Sequence, residues 1–273
     1  MNRALWTKAF RDSRTQLLVS MLVLAAFGWI FVWLTSLFKM GVWVSLLGLL
    51  PDFVEQLIGI PLGRLASVTG RLSFLYVHVI PMLTCIGWSV GRGSDVVSGG
   101  IASGNLELVL TLPVRRSSVL LVNAVVVSVG SAALVAALWM GNWIGLVTVE
   151  LEQQVSARAF LPGALNLLAM TFALGGIATL LSACDHDRWR TIWLTGGLFI
   201  ASMIAKMVAR LWPAGWWIKY TSFLTAFEPQ HLVLLSDQPG LAWRYNSSLF
   251  ALGLACYTAA AIVLTRRDIP VPR

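Results

Sequence analysis

Six long apolar stretches constrain what this chain can fold into more than any other feature of its sequence. A helix needs about 20 apolar residues to cross the roughly 30 Å hydrocarbon core of a bilayer. With 58% hydrophobic and 12% charged residues, the chain has more apolar surface than a soluble protein of its length can bury. We therefore predict an all-α polytopic membrane protein, a single domain over residues 1–273. Its predicted spans are residues 17–38, 74–91, 118–147, 160–183, 192–212 and 246–264.

The distribution of basic residues predicts the orientation of these spans. Lys and Arg are more frequent in cytoplasmic loops than in external ones. If both termini are cytoplasmic, 12 basic residues lie inside and 6 lie outside, and Lys206 and Arg210 fall within the fifth span. The net charge of +8 then reflects topology and gives no reason to expect a nucleic-acid partner.

Two connecting segments differ from simple loops. Residues 39–73 contain apolar clusters separated by Pro and Gly, which favours short helices on the outer surface. Residues 213–245 are rich in Pro and Trp, and a half-crossing, re-entrant pair of short helices is one interpretation of them.

The first 16 residues have an amphipathic pattern at the helical period. Trp6 and Phe10 fall on an apolar face, whereas Lys8 and Arg11 fall on a basic one. This pattern predicts an interfacial helix in the inner headgroup layer, with the basic face toward anionic membrane lipids. The alternative is a positively charged flank of the first span.

A polar segment separates the second and third predicted spans. Residues 95–117 read DVVSGGIASGNLELVLTLPVRRS, with turn-forming Ser and Gly first and an apolar stripe around Glu107. The pattern predicts a short amphipathic helix on the cytoplasmic face that ends at Pro113. An exposed helix between two spans is suited to receiving force from a soluble partner.

The same segment resembles the cytoplasmic loop of ABC transporter permeases of the type-2 export family. The usual pattern there is approximately (S)GE-x-x-x-GTLELLL-x-x-P-V-x-R. The N-terminal W-x-K-x-x-R-D, the outer stretch LLPDFVEQLIGIP at 49–61, and Pro81 in the second span are also similar to the family. This chain has Gly100 where the family usually has Glu, which removes one potential salt bridge, and Asn105 where Thr is common.

The resemblance implies a six-span half-transporter that moves substrate outward across the cytoplasmic (inner) membrane of a prokaryote. It implies two permease copies, most simply a homodimer, and two copies of a separate ATPase subunit docked on residues 95–117. ATP and Mg²⁺ would be bound by that ATPase and no cofactor by this chain, whose sequence lacks the phosphate-binding pattern G-x-x-x-x-G-K-[ST]. The coupling residues that the resemblance implies are Gly104, Asn105, Leu106, Glu107, Leu108, Val109, Pro113, Arg115 and Arg116.

Polar residues inside the spans are candidates for a substrate pathway. Asn166, His78, Lys206 and Arg210 are the ones we single out. Lys206 and Arg210 share a helix face near the outer end of the fifth span. Snorkelling to the outer headgroups is one interpretation of this pair, and lining a pathway or pairing with Glu228 is the other.

Two clusters resemble metal sites but have simpler explanations. His78, Met82 and Cys85 share a face of the second span, and a packed histidine explains them better than a metal or haem site. The run at 185–187, Asp-His-Asp, is more typical of a turn and helix cap than of a metal site.

Three functional classes remain open from the sequence. A transporter permease is the prediction, and it implies that the chain is not itself an enzyme. An intramembrane enzyme and a membrane scaffold or assembly subunit are the alternatives. Turnover by the purified chain without nucleotide would favour the enzyme, and the lack of any associated ATPase would favour the scaffold.

Overall fold

The computed structural model describes residues 3–38, 40–104, 115–235 and 239–266. Within these ranges all regular secondary structure is helical, and six helical segments are long and apolar enough to cross a membrane. The predicted all-α polytopic membrane fold is therefore confirmed. The α-helices are α1 (Arg3–Leu37), α2 (Met40–Gly48), α3 (Asp52–Ile58), α4 (Leu62–Leu65), α5 (Val68–Ser73), α6 (Val79–Ser94), α7 (Gly100–Ala102), α8 (Arg116–Thr148), α9 (Leu161–Cys184), α10 (Arg188–Leu211), α11 (Pro229–Leu234) and α12 (Pro239–Arg266).

The N-terminal segment and the first span form one continuous helix, α1. We predicted an interfacial helix over residues 1–16 and a span over 17–38, and the structure joins the two without a break. The first Gly of the chain is Gly28, and no Pro precedes it, so nothing interrupts the backbone hydrogen bonds. At 1.5 Å per residue α1 is about 50 Å long, which lets its first turns extend beyond the hydrocarbon core.

The predicted second span, residues 74–91, is not one continuous helix. A 3₁₀ helix covers Phe74–Val77, His78 is extended with φ −65° and ψ 148°, and α6 begins at Val79. Pro81 therefore occupies the first turn of α6. Because Pro lacks an N–H, it is tolerated in a first turn but cannot continue a helix from the preceding residues.

The segments between the spans contain short helices. Residues 40–73 form α2 to α5, as the Pro and Gly spacing predicted. Between α10 and α12 lie 3₁₀ helices over Pro213–Thr221 and Phe223–Ala226, followed by α11. These segments lie at the same end of the helical bundle as the beginning of α9 and the end of α10.

Helix α9 is the central helix of the bundle, since most of its length is buried, whereas α1, α10 and α12 are largely exposed. Small residues permit the close packing of α1 against α8. A Cβ added to Gly141 would lie 2.1 Å from the Ala25 carbonyl oxygen, and one added to Gly28 would lie 2.7 Å from that of Leu138. The Gly141-x-x-x-Gly145 pattern therefore serves contact within the chain.

Candidate functional site

Two buried polar clusters lie at opposite ends of the bundle. The first, which we call the Glu228 cluster, comprises Asn166, Lys206, Arg210 and Glu228. The second, the Ser182 cluster, comprises Ser94, Ser98, Ser182 and Thr191. Helices α9 and α10 contribute to both, because each runs the full length of the bundle.

The Glu228 cluster joins two cations to one carboxylate. The Lys206 Nζ lies 3.0 Å from Glu228 Oε1, and the Arg210 guanidinium pairs with the same oxygen. The side chains of Lys206 and Glu228 are each 15% exposed, and that of Arg210 is 23% exposed. The snorkelling interpretation is therefore wrong, and the alternative that the two cations meet Glu228 is confirmed.

Backbone carbonyls satisfy further donors of the two cations. Lys206 Nζ donates to the Phe227 carbonyl oxygen at 2.5 Å, and Arg210 donates to those of Leu57 and Ile58 at 2.5 and 3.0 Å. The last carbonyls of a helix lack partners within it, so the end of α3 offers these acceptors to Arg210. The cluster thereby fastens α3 and the segment before α11 to α10.

Gly59 and Asn166 explain why the cluster assembles. Gly59 ends α3 with a φ of +72°, and a Cβ there would lie 3.2 Å from the Arg210 guanidinium carbon. Asn166 accepts the Glu228 N–H at 2.8 Å and donates to the Ala226 carbonyl oxygen at 3.0 Å and to Asn246 Oδ1 at 2.8 Å. Asn166 therefore fixes the backbone that carries Glu228 and links it to α12.

A cavity of about 240 Å³ adjoins the Glu228 cluster. Lys206, Arg210 and Glu228 form its polar wall. Its apolar wall includes Val77, Leu224 and Phe227 together with three methionines, Met82, Met203 and Met207. Thioether side chains are flexible and adapt to differently shaped ligands. Chemically, the cavity combines a fixed charged wall with an adaptable apolar one.

His78 lies outside this cluster. Its ring packs against Phe27 and Phe31, with centroid distances of 4.8 and 5.7 Å, and its Nδ1 accepts the Ile80 N–H at 3.3 Å. The histidine therefore caps α6 and packs on α1, as the simpler interpretation expected. Of the four predicted pathway residues, the structure brings together Asn166, Lys206 and Arg210.

The central residues of the predicted coupling helix, Asn105, Leu106, Glu107, Leu108, Val109 and Pro113, lie outside the described residues. Gly104 precedes them with a φ of +69°, a left-handed conformation that Gly adopts without strain. Arg115 is extended and Arg116 begins α8. The coupling helix itself stays a prediction.

The predicted interfacial residues lie on the first turns of α1. The rings of Trp6 and Phe10 stack with centroids 6.2 Å apart, and Phe10 is exposed. Lys8 and Arg11 are exposed as well. This arrangement fits a helix start at the headgroup layer, and the interfacial position stays a prediction.

The Ser182 cluster was not predicted from the sequence. Residues Asp95–Gly99 form one turn of π-helix, and the Ser182 Oγ accepts the N–H groups of Val97 and Ser98 at 3.2 and 2.9 Å. Ser182 donates to the Ser94 carbonyl oxygen at 3.0 Å, and the Thr191 hydroxyl donates to the Ser98 Oγ at 3.1 Å. Hydroxyls from α9 and α10 thus hold the end of the second span.

Charged residues surround the Ser182 cluster at the bundle surface. Arg188 pairs with Asp95 at 3.2 Å, and both side chains are almost half exposed. Arg92 donates to the Asp12 carbonyl oxygen at 2.6 Å, which joins α6 to α1. These contacts lie at the end of the bundle where the predicted coupling segment begins.

The Asp-His-Asp run is a turn and helix cap, as predicted. Asp187 Oδ1 accepts the Trp189 N–H at 2.9 Å and so caps α10. Burial alone would raise the pKa of the Asp185 carboxyl, but bonds from the His186 and Asp187 N–H groups and the charge of Arg190 lower the pKa below its usual value. Among the described residues, no group of three metal-ligating side chains occurs.

Comparisons with known proteins give no match: no family model, no curated protein and no solved structure matches this chain. Function must therefore be argued from the geometry and from the sequence patterns.

Proposed function

We propose that the chain is the membrane-spanning permease subunit of an ABC transporter, and that it exports its substrate. A separate ATPase, which binds ATP and Mg²⁺, docks on residues 95–117 and supplies the energy. The chain itself hydrolyses nothing. Both termini and the Ser182 end face the cytoplasm of a prokaryotic cell, and the Glu228 end faces outward.

The attachment of residues 95–100 to three spans is the observation that carries this proposal. The π-turn that precedes the predicted coupling helix is bonded to Ser182 on α9 and, through Ser98, to Thr191 on α10. A push on the coupling segment therefore reaches α6, α9 and α10 through direct hydrogen bonds. Coupling of this kind requires a contiguous physical connection between the two sites or a shared two-state element.

Open glycine positions support the pairing of two permease copies. A Cβ added to Gly87 or Gly91 on α6, or to Gly196 or Gly197 on α10, would meet no atom within 4 Å. Small residues let helices approach closely in membranes, where packing drives association. We propose that these faces meet a second copy, and that the Met-lined cavity opens toward the shared path.

Photo-crosslinking in native membranes tests the proposal. A photoreactive residue at Leu106 is expected to crosslink a protein that contains a G-x-x-x-x-G-K-[ST] sequence, identified by mass spectrometry. The same residue at Arg64, an exposed position at the Glu228 end, is the matched control and is expected to give no such product. Products from His186 but not Leu106 would move the docking site to another loop.

Substitutions in the coupling segment test its mechanism. We expect Leu106→Asp to abolish substrate-stimulated ATP hydrolysis, because a charge in an apolar cleft would be unpaired and desolvated. Glu107→Ala should have a milder effect, since charges at the rim of an interface contribute less than buried apolar anchors. Absence of any ATPase product, together with no substrate-stimulated ATP hydrolysis by the unmodified chain, would favour a membrane scaffold.

A further inference from the structure

An apolar groove runs along one side of the bundle. It lies between α8 and α12, reaches Phe172 on α9, and has a volume of about 460 Å³. Ligand sites in proteins commonly measure about 300–1,000 Å³, so the groove is large enough for one. Its wall is formed mainly by Leu120, Leu121, Val125, Phe172, Leu254 and Ala261.

The hydroxyl groups along the middle of the groove do not make it polar. The Ser128 hydroxyl donates to the Ala124 carbonyl oxygen at 2.6 Å, and that of Thr258 donates to the Ala255 carbonyl oxygen at 2.8 Å. Because these two hydroxyls are bonded to their own helices, the Tyr257 hydroxyl is the remaining polar group in the middle of the groove, and most of the surface there is hydrocarbon. Within a bilayer such a surface is compatible with an acyl chain.

One mouth of the groove is lined by serines, and arginines at the ends of α8 and α12 lie near it. Ser117 and Ser118 line this end, and they directly follow Arg115 and Arg116 at the beginning of α8. Helix α12 ends at Arg266 at the same end of the bundle, as its neighbouring contacts show: Leu120 of α8 and Leu264 of α12 share one buried cluster. The positive end of the α8 dipole adds to this charge.

We propose that the groove is a binding site for an anionic phospholipid of the surrounding bilayer. One acyl chain lies along Leu121, Val125 and Leu254, and the phosphate lies at the mouth near Arg115 and Arg266. Basic residues beside a membrane helix attract anionic headgroups, and the opposite charges of phosphate and arginine decide the headgroup class. This inference does not depend on the transport function.

Native mass spectrometry of the purified full chain in neutral detergent tests the site. We expect phosphatidylglycerol added at equal concentration to be retained more strongly than phosphatidylcholine of the same chain length. Arg115→Gln with Arg266→Gln should weaken retention of phosphatidylglycerol by about fivefold for each arginine. Arg64→Gln, an exposed position at the other end, is the matched charge control and should change nothing.

A bulky substitution tests the acyl part of the site. Ala124→Trp fills the groove and should reduce retention of both lipids, whereas Ala26→Trp on the exposed face of α1 should not. Unchanged retention in Ala124→Trp, or equal retention of the two lipids by the unmodified chain, would overturn the proposal. A shift from dimer to monomer mass in Ala124→Trp, with lipid retention intact, would assign the groove to a second copy of the chain.

Discussion

The two ends of the bundle hold their helices together by different means. At the Glu228 end, full charges are buried and paired, and they fasten α3 and the segment before α11 to α10. At the Ser182 end, the buried contacts are between neutral hydroxyls and backbone groups, and the ion pair of Arg188 with Asp95 is almost half exposed.

The two ends differ in the free-energy cost of separating the groups that hold their helices together. Separating a buried ion pair leaves uncompensated charge and is strongly unfavourable, whereas an exposed pair contributes little. The Glu228 end is therefore expected to stay closed as a unit, and the Ser182 end to rearrange. Under the proposed function, energy enters at the Ser182 end, where these adaptable contacts lie.

The largest effect is expected from Glu228→Gln. The substitution keeps the shape of the side chain but leaves Lys206 and Arg210 without a counter-charge. We expect the free energy of unfolding, measured by SDS titration in mixed micelles, to fall by about 3–5 kcal/mol. Glu55→Gln, an exposed change on nearby α3, is the control and should have almost no effect. Equal losses in the two variants would show that the buried pairs are unimportant.

The Glu228 cluster was only partly predictable from the sequence. The four-residue spacing of Lys206 and Arg210 indicated a shared face, and Glu228 was one of two predicted destinations. The contacts with the Leu57 and Ile58 carbonyls were not predictable, because they join segments about 150 residues apart, as the separations of 153 and 152 show. They depend on where α3 ends in space.

A smaller effect is expected from Ser182→Val at the other end. Valine has the volume of serine plus a methyl group but cannot accept the Val97 and Ser98 N–H groups. We expect a loss of about 2 kcal/mol in the same titration, because buried unpaired amides cost about 1–3 kcal/mol each and the π-turn can partly relax. Ser128→Val is the control, since that hydroxyl is bonded within its own helix. A loss as large as that of Glu228→Gln would erase the contrast between the ends.

The Ser182 cluster had no signal in the sequence that reasoning could have used. Serine is tolerated throughout membrane helices, where its hydroxyl usually bonds to the preceding turn, as Ser98 does with the Ser94 carbonyl oxygen at 2.8 Å. The contact between Ser182 and Ser98 depends on the π-turn, and no residue pattern at 95–99 indicated that turn. The span count and the Asp187 cap, by contrast, followed from local patterns.

A still smaller effect is expected from Arg188→Gln. The ion pair with Asp95 is almost half exposed to solvent and is therefore screened, so its removal should cost no more than about 1 kcal/mol. Unfolding at low and high salt provides the measurement, and the difference between variant and unmodified chain should shrink as salt rises. A loss of several kcal/mol would mean that this end is locked as firmly as the other.

The smallest effect is expected from Asp185→Asn and depends on pH. The folded-state pKa of Asp185 is lowered, so its carboxylate contributes stability above the unfolded-state pKa of about 3.9, and that contribution is lost as pH falls through the folded-state pKa. The variant should be slightly less stable at pH 7 and equal to the unmodified chain in strong acid. A difference that grows on acidification would contradict this assignment.

Cysteine labelling in intact cells tests most directly the central claim that the Ser182 end faces the cytoplasm. Ser103→Cys reports on that end and Ser156→Cys on the Glu228 end, in a chain whose native Cys184 and Cys256 are replaced by Ser. We predict that a membrane-impermeant maleimide labels Ser156→Cys in intact cells and labels Ser103→Cys only after the membrane is opened. Labelling of Ser103→Cys from outside, with Ser156→Cys protected, would contradict the account.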